Sequence, residues 1–333
     1  MILDPFVIKN HTFKNRIMMS PMCMYQVYKK DGVATNFHYT HYTARALGGV
    51  GYIMIESTAV LPNGRITYED LGLWSDSQIE PLKKIVEGVH ALGAKIGIQL
   101  SHAGRKSRTE NIVSSTNQPF SESYLTPGRL SPEGIKEIVN AFKASARRAR
   151  EIGFDSIELH GAHGYLINQF MSPLVNDRDD EYKDGLKFLE EIIDAVRSEM
   201  DKDQLLQLRI SAYEYDELGL TPYDWAGILN VIKHKIDMVD ISSGGVIPNM
   251  VNDYPGYQLP FAKIIKEETG IITITGGQID NLNLANEALE KEDCDMVFFG
   301  RKLLMDPFFI YKYDESLLPT SYKRASTLIK SKS

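Results

Sequence analysis

Along the chain, short runs of apolar and β-branched residues recur, with stretches of helical period between them. The runs are RIMMSPM (16–22), GYIMIESTA (51–59), KIGIQLSH (95–102), SIELHGAH (156–163), LLQLRISA (205–212), MVDISSGG (238–245), IITITGG (271–277) and MVFFGR (296–301), which makes eight candidate strands. Most are apolar nearly throughout, the pattern of strands buried on both faces in a parallel sheet covered by helices.

Helical period appears over 78–92, where Ile79, Leu82, Ile85, Val86 and Val89 share a face, and over 132–152, which Ser131 opens as an N-cap with Pro132 in the first turn. Further helices are predicted over 186–200, 221–235, 259–269 and 280–291. Eight strands alternating with helices, with no Pro/Gly/Ser linker between them, predict an α/β fold, a closed (β/α)8 TIM barrel forming one domain over 1–333. Ahead of the first strand, residues 5–14 alternate around Asn10-His11 and predict a β-hairpin on the barrel floor. Three segments after strands are long, 103–130, 171–185 and 246–258, and in such a barrel they build the walls of the active site. The tail from 316 to 333 is polar and basic.

Composition narrows the partners. The chain has 333 residues, 43% of them hydrophobic, and a net charge of −7 with no basic tract, which speaks against nucleic acid and anionic membrane and for a small molecule. No apolar run reaches the roughly 18–20 residues of a membrane span, and Met1-Ile2-Leu3-Asp4-Pro5 lacks a signal peptide's basic start, so a cytoplasmic protein is expected. The two cysteines, Cys23 and Cys294, form no CxxC pair and are placed at opposite ends of the barrel, too far apart to bridge.

The barrel makes a sharp test possible, because polar residues at the ends of the strands must converge on one mouth. Strand one ends in Ser20-Pro21-Met22-Cys23-Met24-Tyr25, strand two carries Glu56-Ser57, strand three Gln99 and His102, and strand four His160, His163 and Tyr165. Strands five to eight supply Arg209, Ser242-Ser243-Gly244-Gly245, Gly276-Gly277 and Gly300-Arg301. Glycines after the last three strands leave backbone N–H groups bare, and with Arg301 they suit a phosphate. His160 and His163 can share the mouth only if the strand ends between them. Two imidazoles there can bind a metal, donate hydrogen bonds to a developing oxyanion, or serve packing alone. Tyr165 reads equally as an acid or as an aromatic wall.

At this point the chain resembles a known family. The runs SPMCMY (20–25), GRIT (64–67), QLSHAGRK (99–106), HGAHGYLINQFMSPLVNDRDDEY (160–182), SSGG (242–245) and FFGRKLLMDPFF (299–309) are similar to the Old Yellow Enzyme family, and Cys23 with Tyr25 resembles its thermophilic-like branch of bacterial NADPH dehydrogenases. The resemblance implies FMN as cofactor, NADPH or NADH as electron donor, and ping-pong reduction of the activated C=C bond of α,β-unsaturated aldehydes and ketones, with nitro compounds and quinones as further acceptors.

Carried over position by position, it implies flavin contacts from Ser20, Pro21, Met22, Cys23, Ser57, Gln99 and Arg209, further cofactor contacts from Ser243 and Gly244, and a phosphate held by Gly277, Gly300 and Arg301. His160 and His163 would hold the substrate oxygen, Tyr165 would be the proton donor, and Tyr25 and Lys106 would touch substrate. PTSYKRA (319–325) is similar to a segment whose arginine reaches a neighbouring protomer's site; this makes Arg324 the candidate and implies a homodimer or homotetramer. The chain departs from the family where Tyr182 passes through Lys183-Asp184-Gly185 directly into Phe188. A longer arginine-bearing segment is absent there, which bears on the local surface and on nicotinamide binding. The tail also runs on to Ser333. Two rival readings are a flavin-binding barrel with another acceptor and a non-redox lyase using Lys106 or the histidine pair.

Overall fold

A computed structural model describes residues 1–326. Its barrel strands are β1 (Ile17–Met19), β2 (Tyr52–Ala59), β3 (Lys95–Ser101), β4 (Ser156–Gly161), β5 (Leu205–Ser211), β6 (Met238–Ser242), β7 (Ile272–Thr275) and β8 (Met296–Phe299). Each lies parallel to the next, and β8 pairs with β1 through Phe299↔Met19, so the sheet closes. The predicted (β/α)8 barrel is the observed fold. All the strands but β2 end earlier than the apolar runs suggested, and the residues beyond them become the mouth.

The helices are α1 (Asn36–Leu47), α2 (Ile79–Ala91), α3 (Pro132–Ile152), α4 (Leu166–Met171), α5 (Leu186–Arg197), α6 (Pro222–Ile232), α7 (Leu259–Thr269), α8 (Leu282–Glu290) and α9 (Arg301–Met305). Local chemistry sets several starts: Ser131 Oγ accepts from Gly134 N at 3.1 Å ahead of α3, and Asn281 Oδ1 accepts from Leu284 N at 2.9 Å ahead of α8. Each such cap contributes about 1 kcal/mol. Helix α1 is absent from the sequence-based pattern because its buried face carries His38, His41, Tyr42 and Arg45 as well as Ala46. A helix that buries polar side chains shows no apolar period.

The barrel interior is layered. Near the N-terminal ends of the strands Met18, Tyr52, Met54, Leu205, Met238, Ile274 and Met296 form an apolar floor. The strands Phe6–Ile8 and His11–Phe13 pair antiparallel, and their Ile8 and Phe13 join that cluster. Phe13 meets Tyr52 edge-on at 5.0 Å, so truncating it would remove about 3–5 kcal/mol. Above the floor lies a polar layer, and above that the mouth. Between Ile55 and Thr58 of β2 the register with β3 slips, a bulge that re-aims Glu56 and Ser57.

Candidate active site

Strand β4 stops at Gly161, and His163 follows with φ of 56°, in the left-handed region. That reversal brings His163 onto the same side as His160, which resolves the spacing problem posed by the sequence. The rings of His160 and His163 lie 5.2 Å apart at 88°, and the Tyr165 ring lies 4.7 Å from His160 at 76°. Ala162 N donates to His160 Nδ1 at 3.3 Å, leaving Nε2 as the protonated nitrogen of the neutral ring. His163 Nε2 sits 2.7 Å from Ser242 Oγ, and Gln258 Nε2 donates to that same hydroxyl oxygen at 3.1 Å. With its oxygen accepting from Gln258, Ser242 has its proton available for Nε2, and in that arrangement the His163 proton is on Nδ1. Burial, together with neighbouring Arg209 and Lys106, holds both histidines well below their ordinary pKa, so both are neutral donors. Burial likewise raises Tyr165 well above the ordinary phenol value and keeps its proton on.

Three loops are bolted together around this group. Lys106 Nζ donates to His163 O at 2.7 Å and to Gly245 O at 2.9 Å, tying the loop after β3 to those after β4 and β6. Burial, then Arg105, lowers its pKa to about 8. One N–H remains for a ligand. Gly164 is required here: with φ of 71°, a Cβ on it would stand 2.2 Å from Gly245 O. Ser211 Oγ accepts from His163 N and donates to Gly244 O, at 2.8 and 2.7 Å. Gly244 and Ser243 thus carry bonds within the loops of the rim, Ser243 meeting Tyr215 OH at 2.9 Å, and neither lines the cavity at the mouth.

That cavity, about 420 Å³, opens over β1, β5, β7 and β8 and is lined by Ser20, Pro21, Met22, Arg209, Gly277, Gly300 and Arg301, all of them residues singled out in the sequence. Tyr257, Gln258, Gln278 and Lys302 also line it and carry no comparable sequence signal. Gly277 has φ of 88°, and a Cβ there would strike Tyr257. Arg209 reaches up from β5, donating from Nη1 to Ser20 Oγ at 3.0 Å while its Nε lies 3.4 Å from Asp240. Gln99, on β3, is buried and does not line that cavity; it donates to Glu158 Oε1 at 2.7 Å.

At the end of β1 the segment bearing Cys23 and Tyr25 is held from behind by Glu56. Its carboxylate accepts from Met24 N at 2.7 Å and from Tyr42 OH at 3.2 Å, with His38 Nε2 also at 3.2 Å. Tyr25 is left-handed, with φ of 55°, and 44% exposed, a phenol presented to solvent at the rim. Cys23 is half-buried; burial, then Asp70 and Glu56, pushes its thiol well above the usual range, so it is a neutral thiol. Ser57 is buried on the bulge beside it. Arg324 is exposed on the 3-10 segment Thr320–Ala325 and does not line the mouth cavity. The short loop before α5 is compact: Asn176 Nδ2 donates to Phe170 O at 2.7 Å and to Tyr182 O at 2.9 Å.

Among the described residues no group of three or more His, Cys, Asp or Glu could hold a metal ion, and no helix is long and apolar enough to cross a membrane. Sequence reading missed the buried carboxyls Glu158 and Asp240. Their signal was there, as polar residues at alternate positions of strands otherwise apolar: Glu158 with His160, and Asp240 with Ser242.

Residues 1–319 match the NADH:flavin oxidoreductase / NADH oxidase family. The chain is 46% identical over 316 residues to the NADPH dehydrogenase of Clostridium acetobutylicum, covering 93% of each, and 46% identical over 314 residues to that of Bacillus subtilis, covering 92% of each. Among solved structures, morphinone reductase superposes with a TM-score of 0.80 at 23% identity, over 92% of this chain and 87% of that one. 2-Naphthoyl-CoA reductase gives 0.88 at 23% over 95% of this chain, which spans 52% of that longer protein. At such identity the two structures speak for the shared barrel alone. With the family matched over nearly the whole chain, the protein belongs to the NADH:flavin oxidoreductase / NADH oxidase family, that of Old Yellow Enzyme, and is an FMN-dependent oxidoreductase drawing electrons from NADPH or NADH.

Proposed function

We propose that this protein is an ene-reductase, acting on the C=C bond of α,β-unsaturated aldehydes and ketones. The residues present suit the cofactor. Arg301 and Lys302 line the cavity and match a phosphate, Arg209 lines it too and matches the polar edge of an isoalloxazine ring, and the amide of Gln99 on β3 would serve that same edge. FMN bound there would supply hydride-transfer chemistry between the nicotinamide and the β-carbon of the acceptor.

The carrying observation is the convergence of two neutral imidazoles and a phenol at one point of the mouth. His160 Nε2–H and His163 Nδ1–H are the donors that would hold the substrate's carbonyl oxygen and stabilise the negative charge it gains as hydride arrives. Being neutral, they can donate without surrendering a proton. Tyr165, protonated at any working pH, would give its proton to the α-carbon. Tyr25 would add a hydrogen bond from the rim. Lys106 fixes the loops that aim these groups, and Cys23, uncharged, would touch flavin and substrate without acting as a nucleophile. Activated nitro compounds and quinones present a similar polarised oxygen. Arg324 would reach the mouth of a second copy in a dimer or tetramer.

The test is an anaerobic visible spectrum of the purified holoenzyme, with NADPH added and then 2-cyclohexenone. Flavin bands that bleach and then return with the enone are expected. Bands that bleach and stay bleached in excess enone refute ene-reduction and leave a flavin reductase with another acceptor.

A further inference from the structure

The polar layer beneath the mouth contains a charge arrangement that substrate chemistry does not require. Strand register aligns Gln99, Glu158 and Gln207 on β3, β4 and β5, and sets Arg209 beside Asp240 on β5 and β6. Glu158 and Asp240 are both 0% exposed. Glu158 accepts from Gln99 at 2.7 Å and from Gln207, whose own carbonyl accepts from Tyr52 OH at 2.7 Å. Asp240 lies 3.4 Å from Arg209 Nε, yet neither of its oxygens accepts a hydrogen bond from any neighbouring N–H, nor does that Nε donate one at good geometry.

Charge counting shows what is missing. With both carboxyls ionised, this dry layer would hold two negative charges against the single positive charge of Arg209, a net buried charge that proteins avoid by keeping a proton. Glu158 faces Asp240, and burial, then Asp240, pushes its carboxyl up to about 8. A proton on Glu158 therefore does two things at once: it brings the layer to neutrality and gives the orphaned Asp240 carboxylate a donor. The charged and titratable groups facing Glu158 are Asp240, Arg209 and Tyr52, and burial holds the last as a neutral phenol.

We infer that Glu158, Asp240 and Arg209 form one proton-sharing unit of zero net charge, and that this unit sets the reduction potential of the flavin bound above it. Arg209 is the only member that reaches the cavity. Glu158 and Asp240 are positioning residues, acting through it: Asp240 offsets the guanidinium charge that the reduced, more negative cofactor meets, and protonated Glu158 prevents over-compensation. The inference rests on the placement of Arg209 beside the flavin under the proposed function.

The experiment is an anaerobic dye-equilibrated titration of flavin midpoint potential at pH 7 in the holoenzymes of wild type, Glu158→Gln, Glu158→Gln/Asp240→Asn and Arg209→Gln. Glu158→Gln replaces a neutral donor with a neutral donor and should leave the reduction equilibrium within about twofold. The double variant exposes the full charge of Arg209 and should favour reduction by at least tenfold, about 30 mV for a two-electron couple. Arg209→Gln should disfavour it by a similar factor. A double variant indistinguishable from Glu158→Gln, while Arg209→Gln shifts the potential, overturns the inference alone. An unchanged Arg209→Gln overturns the placement of Arg209 and the inference with it. If the double variant does not fold, infrared spectra decide: wild type minus Glu158→Gln should show a carboxylic acid C=O band at pH 7 that fades above pH 8, and a difference spectrum without it refutes the shared proton.

Discussion

His163 Nε2 and Ser242 Oγ lie 2.7 Å apart, one hydrogen bond that joins the imidazole at the end of β4 to the hydroxyl at the end of β6 and, with Ser242 as the donor, puts the ring proton on Nδ1. Ser242→Ala removes that bond. With the tautomer free, kcat/KM for 2-cyclohexenone should fall about fivefold to tenfold, the worth of one hydrogen bond of about 1 kcal/mol. Because Ser242 also lines the main cavity, flavin content should be measured by absorbance alongside the kinetics; an unaltered kcat/KM at full flavin content contradicts the assignment.

Removal of the first imidazole is a larger change. His160→Ala should lower enone turnover about 10²–10³-fold, the usual effect of deleting a donor to a developing oxyanion. The flavin should stay bound, since Arg209, Gly277, Gly300 and Arg301, which line the cavity proposed to hold it, are all retained. Equilibrium dialysis against free FMN checks this, and a protein that loses its flavin with His160 would place the residue in the cofactor site instead.

Tyr165→Phe separates the two half-reactions. Stopped-flow reoxidation by enone should slow by about 10²–10⁴-fold, the contribution of a general acid, while reduction by NADPH keeps its rate. Equal slowing of both halves would show the phenol to be a wall and not an acid.

At the opposite end of the barrel, His11 gives a pH signature of stability. Its Nε2 donates to Asp203 O at 2.8 Å and its Nδ1 lies 3.5 Å from Asp155. The Asp155 contact raises its pKa against the opposing effect of burial. A raised histidine stabilises fully below its unfolded value of about 6.5 and loses that contribution as pH climbs through the folded value. Asp155 behaves oppositely: burial would raise it, but His11, His90, Ile96 N and Lys95 together bring it down, so its contribution is lost only in strong acid. The melting temperature should therefore drop by about 2 °C between pH 6 and pH 9, and His11→Gln should flatten the curve over that interval. A wild-type curve as flat as the variant's would rule the contact out as a stabiliser.

The barrel was legible because its strands are buried on both faces and therefore read as apolar blocks, and because the capping residue Ser131 announces its helix. Helix α1 was not, since His38, His41 and Tyr42 on its inner face break the apolar period, and His38 and Tyr42 serve Glu56. In the mouth, residue type was enough to single out His160, Tyr165, Arg209 and Arg301. It could not show that His163 turns back through a left-handed backbone, or that Ser243 and Gly244 carry bonds within the loops of the rim. Tyr257 and Gln258 lay hidden for another reason: they come from the long 246–258 segment, and only three-dimensional packing brings them over Gly277.

Lys106 gives the mouth a mechanical property. One ammonium, bonded to the backbones that follow β4 and β6 from a loop that follows β3, works as a tie-rod across the rim. The three loops cannot splay independently; pulling on any one transmits the load to the others. The gape of the entrance is thus a shared quantity. Substitutions meant to admit bulkier acceptors will act at a distance around the rim, while the segment bearing Tyr25, held by Glu56 and not by this ammonium, is the side on which the opening can be widened without disturbing the histidines.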